Sequence, residues 1–232
     1  MTEVEPASVV SRNGRLAFGV TALISLFGLA LNLIITVAGT YPAEATKPTI
    51  YGYSNPDGLA GVVSRTLDFF SYFTILSNIV VIIVLLALWR GRIRPTPVWR
   101  ALRMDSLLMI TVTGLIFVIV LAPDVHLQGL QYVTNTIEHY ITPVLTILTF
   151  LVWGPRRWFR VATVFTALII PLAWVAYALA RGAVIDAYPY GFLDVATLGW
   201  GKALVNIGGV LVLGIVLGFI YLGLDRLLSR RR

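Results

Sequence analysis

Apolar residues gather along this chain in six long blocks, parted by short stretches rich in Gly, Pro and charge. The blocks cover about residues 16–38, 66–88, 104–122, 133–153, 161–180 and 203–224. Each is close to the ~20 residues that an α-helix needs to cross ~30 Å of hydrocarbon. The roughly ten-residue alternating segments of a membrane β-barrel are absent from the pattern. The first block is too long for a secretory h-region and is not followed by a small-residue cleavage site, so it reads as a helix. The pattern predicts an all-α fold, a polytopic membrane bundle of six transmembrane helices. No internal repeat stands out, and the three outer loops differ in length and composition, which argues against an inverted-repeat transporter.

Composition agrees with a membrane solvent. Of 232 residues 58% are hydrophobic and 12% charged, whereas a soluble domain carries about 25% charged residues. The basic residues cluster. Arg12 and Arg15, Arg90 to Arg103, Arg156 to Arg160 and Arg226 to Arg232 lie on one side of the predicted bundle. Only Lys47, Arg65, Arg181 and Lys202 lie on the other. The positive-inside rule then puts both termini in the cytoplasm. It divides the chain into a cytoplasmic segment 1–15, a six-helix transmembrane domain 16–225 and a basic cytoplasmic tail 226–232. The formal charge of +7 belongs to arginines at anionic headgroups, so no nucleic-acid partner is expected. With no cysteine, thiolate chemistry and disulfides are excluded. Two histidines, His126 and His139, are too few for an all-His metal site, and no metal or cofactor is expected.

Polar residues inside apolar blocks are expensive in hydrocarbon and tend to face a cavity or a neighbouring helix. Ser71, Thr74 and Asn78 fall on one face of a straight second helix, and Asn135, His139, Thr142 and Thr146 on one face of the fourth. The first helix carries Asn32 and the sixth Asn206. Measured from the predicted outer ends, Thr74 lies ~12 Å deep, His139 and Asn32 ~9 Å, and Asn206 ~5 Å, at 1.5 Å per residue. Four helices thus place polar groups in one outer layer, a candidate site. The outer segment Tyr188-Pro-Tyr-Gly-Phe-Leu-Asp194 would cover it as a lid, or form an interfacial aromatic belt.

More ordinary roles compete at several positions. A threonine in a membrane helix commonly back-bonds to its own i−4 carbonyl. Asn32 and Asn206 suit interhelical hydrogen bonds. Asp68 and Arg65 are spaced to pair across one turn, and Asp105 beside Arg103 reads as a surface ion pair. Glu138 points about 100° away from its neighbour His139 on an α-helix, and so does not orient it automatically.

A hydroxyl and an imidazole at one depth are the parts of a nucleophile and its general base. Asn78, Asn135 and Asn206 are candidate oxyanion donors, and Tyr190 and Asp194 candidate substrate-binding groups from the lid. The same layer would equally suit a non-catalytic protein that binds or transports a lipid or small molecule. A third possibility is a structural partner subunit, for which these residues matter only to stability.

Three stretches, Tyr72-Phe-Thr-Ile-Leu-Ser-Asn78, Asn135-Thr-Ile-Glu-His139 and Tyr188-Pro-Tyr-Gly-Phe-Leu-Asp194, resemble in order those of the androgen-induced-gene-like (FAR-17a-like) membrane proteins. The closest resemblance is to their bacterial Pr6Pr-type branch, and it covers roughly residues 15 to 225. It implies a six-helix intramembrane hydrolase in a bacterial plasma (inner) membrane. By position, Thr74 would be the nucleophile and His139 the base, acting on a lipid-like ester such as a fatty acid ester of a hydroxy fatty acid. The asparagine after the threonine stands four residues on rather than three, and the proline after the histidine is displaced by about one position.

Overall fold

The computed structural model describes residues 10–41, 47–53, 56–91 and 93–230. Of the basic positions used above, Arg92, Arg231 and Arg232 lie outside them, as do residues 1–9 of the expected N-terminal segment. The described chain is helical throughout, without a β-strand; its helices are α1 (Arg12–Ala38), α2 (Gly58–Ser71), α3 (Phe73–Trp89), α4 (Pro97–Ile116), α5 (Leu130–Thr136), α6 (Thr142–Trp153), α7 (Val161–Thr166), α8 (Ile169–Ile185) and α9 (Val195–Ser229). A π turn, Phe117–Leu121, extends α4, and another, Ile137–Ile141, joins α5 to α6. Five stretches are long and apolar enough to cross a membrane: α1, Pro97–Leu121, Leu130–Trp153, Val161–Ile185 and α9. The pair α2–α3 makes a sixth if counted as one bent span. The divisions expected at residues 15 and 225 both fall inside helices, α1 and α9.

Helix α4 is the post around which the others stand. Thr96 caps its start by accepting the Trp99 N–H, with Pro97 in the first turn. Of its most apolar stretch 67% is buried, against 17% for α9. On one side Met109 and Ile110 pack with Phe18 of α1 and with Val81, Val84 and Leu85 of α3. On the other, Met104, Leu107 and Leu108 meet Phe150, Phe159, Val164 and Tyr221. Hydroxyl pairs tie the helices across these contacts: Ser25 with Thr142 (3.0 Å), Ser77 with Thr113 (2.8 Å) and Thr111 with Tyr221 (2.7 Å). Such bonds hold helices together where apolar burial gives no preference over lipid.

The expected straight second helix is broken. Tyr72 adopts an extended backbone (φ −75°, ψ 136°), and α2 and α3 meet at 66°. Ser71 is thereby turned away from the face of Thr74 and Asn78, and its hydroxyl bonds to Tyr177 instead (2.7 Å). The carbonyl of Ser71 is taken by the indole N–H of Trp174 on α8 (3.0 Å), so a long-range bond replaces a helical one. The sixth block also begins earlier than expected. Asp194 caps its first turn, and Gly199, at φ 74° and ψ 160°, kinks it in a conformation that favours glycine.

Two expected ion pairs do not form. Arg65 donates to the Val37 carbonyl (3.0 Å), whereas Asp68 pairs with Arg181 of α8 at 2.6 Å. Arg103 and Asp105 are both buried, 2% and 1% exposed. Two positions apart on a helix, they point about 200° from one another. The Arg103 guanidinium instead lies 5.6 Å from the ring centres of Phe18 and Phe150.

Candidate active site

The break at Tyr72 makes Thr74 a first-turn residue of α3. Several hydroxyls in this bundle bond back to their own helix: Thr21, Ser25, Thr66 and Ser71 each donate to the carbonyl four residues earlier. Thr74 has no such partner, because the residue four back, Phe70, lies on α2 beyond the bend. Its Oγ1 lies 3.3 Å from His139 Nε2 and 3.3 Å from the Tyr190 hydroxyl. The depth argument put Thr74 and His139 in one layer; the structure puts their side chains in contact.

His139 sits in the π turn between α5 and α6. A π turn inserts one residue into a helix and re-aims the side chains around it. The imidazole stacks on Phe117, with ring centres 4.0 Å apart, and Phe117 opens the π turn at the end of α4. His139 Nδ1 lies 3.3 Å from the Asn135 carbonyl. A carbonyl only accepts, so Nδ1 carries the proton and Nε2 keeps its lone pair for the Thr74 hydroxyl. Glu138 turns the other way and accepts both bonds from the amide of Asn32 on α1 (2.8 and 3.0 Å). Gly28, one turn earlier on α1, leaves room for Ile137, with which any side chain there would collide. Sequence reasoning named Asn32 and discounted Glu138; their part-buried pairing had no local signal.

Tyr190 completes the group from the outer loop. Its hydroxyl oxygen accepts the Thr74 N–H (3.2 Å) at a helix start that Tyr72 leaves without a side-chain cap. Burial pushes the Tyr190 phenol up from its ordinary value, against the opposing effect of its hydrogen bonds with Thr74. It therefore stays neutral near pH 7 and keeps a proton to donate. The loop is tied down on both sides. Tyr188 exchanges backbone bonds with Thr49 and Tyr51 (2.8 and 3.1 Å), and the Thr49 hydroxyl donates to Asp194 (2.6 Å). The Tyr51 ring in turn covers the Arg181 guanidinium, 4.3 Å from its centre.

Two cavities meet at Thr74 and Tyr190. The larger, about 1110 Å³, has a mixed wall whose polar groups include Asn32, Asp68, Asn135, Glu138 and His139. The smaller is a cleft of about 90 Å³ between α4, α8 and α9, lined by Leu108, Met109, Trp174, Ile207 and Leu211. A hydroxyl with a base on one side and a phenol donor on the other, between a partly polar and an apolar chamber, can open an ester whose two ends differ in polarity.

Of the other expected site residues, Asn78, Asn206 and Asp194 fall elsewhere. The Asn78 amide donates to the Thr74 carbonyl (2.9 Å), on the main-chain side and away from Oγ1. The Asn206 amide donates to the Phe192 carbonyl (2.9 Å), because its stretch of α9 faces the outer loop. Asp194 caps α9 through Thr197 (3.1 Å) and holds the loop rather than lining either chamber. Asn135 lines the larger cavity and orients His139 through its carbonyl. Set against known proteins, the chain matches no family model, no curated protein and no solved structure.

Proposed function

We propose that the chain is an intramembrane hydrolase of lipid-like carboxylic esters, with Thr74 as nucleophile and His139 as base. One observation carries the reading: Thr74 Oγ1 lies 3.3 Å from His139 Nε2 where a partly polar and an apolar chamber meet. Catalytic hydrogen bonds are often this long in a site without substrate. In the proposed reaction His139 Nε2 takes the Thr74 proton as Oγ1 attacks the ester carbonyl. Tyr190 donates its O–H to the developing oxyanion. The alcohol leaves with the proton held by His139, and water, activated by the same imidazole, releases the acid from Thr74. The resemblance to androgen-induced-gene-like hydrolases supports the same assignment. With it go six spans, counting α2–α3 as one, both termini in the cytoplasm, and a bacterial inner membrane as the setting.

The test is labelling of the purified protein by a lipophilic fluorophosphonate probe. Wild type should label, and Thr74→Ala and His139→Ala, each shown to be folded, should not. A folded wild type that resists the probe and cleaves no ester would sink the reading and leave ligand binding in the outer cavity as the function.

A further inference from the structure

The polar groups around the small cleft are already satisfied, apart from the site itself. Thr113 bonds to Ser77 and the Trp174 N–H to the Ser71 carbonyl; what remains is Thr74 and Tyr190 at the outer end. A polar ligand in the cleft would lose hydrogen bonds with water and regain none, so the occupant is hydrocarbon. The cleft is narrow. At about 90 Å³ it is smaller than the ~150 Å³ cavity that admits benzene, so it takes only a segment of one chain at a time and not paired chains.

Its walls open sideways. Helix α9 packs more closely on α4 and α7 than on α8. Leu172 on α8 is 45% exposed. On α9, the lining residues Val210 and Leu211 are only partly buried. Both walls belong to membrane-length apolar helices, so the medium facing the gap is lipid hydrocarbon. From Ile207 to Gly214 the lining follows α9 for ~10 Å, at 1.5 Å per residue.

We infer that the gap between α8 and α9 is a lateral portal, through which the acyl chain of a single-chain ester in the membrane reaches Thr74 while its polar end lies in the outer cavity. The inference rests on the hydrolase reading and adds the substrate class and its route.

The chain has no cysteine, which makes the portal easy to gate. In a Leu172→Cys/Leu211→Cys variant, a reversible bis-thiosulfonate linker would bridge the cleft. The readout is the ratio of turnover of p-nitrophenyl palmitate in vesicles to that of soluble p-nitrophenyl acetate. Bridging should lower the ratio by about tenfold or more, a barrier difference of at least about 1.4 kcal/mol, and reduction should restore it. The two single-cysteine variants, treated alike, should show no such reversible change. A ratio indifferent to bridging overturns the portal while leaving the hydrolase standing. If the wild type cleaves neither ester, the hydrolase reading fails. The portal is then judged by a photoreactive fatty-acid probe in the same vesicles: it should crosslink to the cleft residues of α8 and α9 and be excluded by the bridge, and crosslinking elsewhere overturns it.

Discussion

His139 Nδ1 faces the main-chain carbonyl of Asn135 at 3.3 Å, a relationship that fixes which imidazole nitrogen is free to act. An orienting carboxylate would be expected to strengthen the base, but Glu138, the nearest in sequence, is engaged with Asn32. The base is held by its own helix. His139→Gln places an amide that cannot take a proton, and acylation should fall by about 10²–10⁴-fold. Thr74→Ser, which keeps the hydroxyl, should still acylate. Single-turnover release of p-nitrophenol measures both; equal rates in wild type and His139→Gln would refute the assignment.

Tyr190 is expected to act on two levels. Its O–H is the donor nearest Thr74 Oγ1, and its oxygen caps α3 by accepting the Thr74 N–H. Tyr190→Phe should slow acylation by about 10²-fold, the scale of one lost oxyanion donor, and cost about 1 kcal/mol of stability through the lost cap. The pH profile separates the two. A phenol raised above its ordinary value favours the folded state below pH ~10 and loses that contribution as pH rises through its folded value. Wild type should therefore lose more stability in alkali than Tyr190→Phe, in which Tyr51 and Tyr188, also raised by burial, still titrate. A rate unchanged by the substitution would leave Tyr190 with a capping role alone.

Much of the bundle was legible because hydrophobic length reports directly on spans: five of the six apolar blocks each overlap one membrane-length helix, although several helices run five to eight residues beyond the block. The meeting of Thr74 with His139 was legible through helical rise, which set the two at similar depths. What failed to show were features stabilised from far away. Tyr72 is neither Pro nor Gly, and the bend there is held by Trp174 and Tyr190, more than a hundred residues on. Asp68 finds Arg181 at a separation of 113 residues, which no local rule favours over Arg65. The π turn that aims His139 has no signature in Ile137-Glu-His-Tyr-Ile141 itself. Asn78 and Asn206 were rightly marked as costly to bury, but burial alone does not say whether an amide serves a substrate or the main chain.

The Asn32–Glu138 pair predicts an asymmetry in stability. Asn32→Leu leaves a buried carboxyl group without its donors, and the folded state should lose about 1–3 kcal/mol in reversible unfolding from detergent micelles. Adding Glu138→Leu to that background removes the orphaned group and should recover much of the loss. If the double variant were no more stable than Asn32→Leu, the cost would lie in packing rather than in the stranded carboxyl.

Asp194 predicts how the loop that carries Tyr190 responds to acid. Burial alone would raise this carboxyl, but hydrogen bonds from Thr197 and Thr49 outweigh it and hold the group below its ordinary range. A depressed carboxyl stabilises the fold above its unfolded pKa of ~3.9, and that contribution is lost as pH falls through the lower folded value. Hydrogen exchange at residues 195–198 should therefore accelerate on acidification below pH ~4. Thr49→Val removes one of the bonds holding the carboxyl down and should start the acceleration at higher pH. Asp194→Asn keeps a capping side chain but has nothing to titrate, and its exchange should follow only the intrinsic pH dependence of the amide. Because Tyr190 reaches Thr74 from this same loop, fluorophosphonate labelling at pH 5, where wild type keeps its cap, should be the same before and after a brief acid exposure. A profile in Asp194→Asn identical to wild type would mean that Asp194 does not hold the loop through its charge.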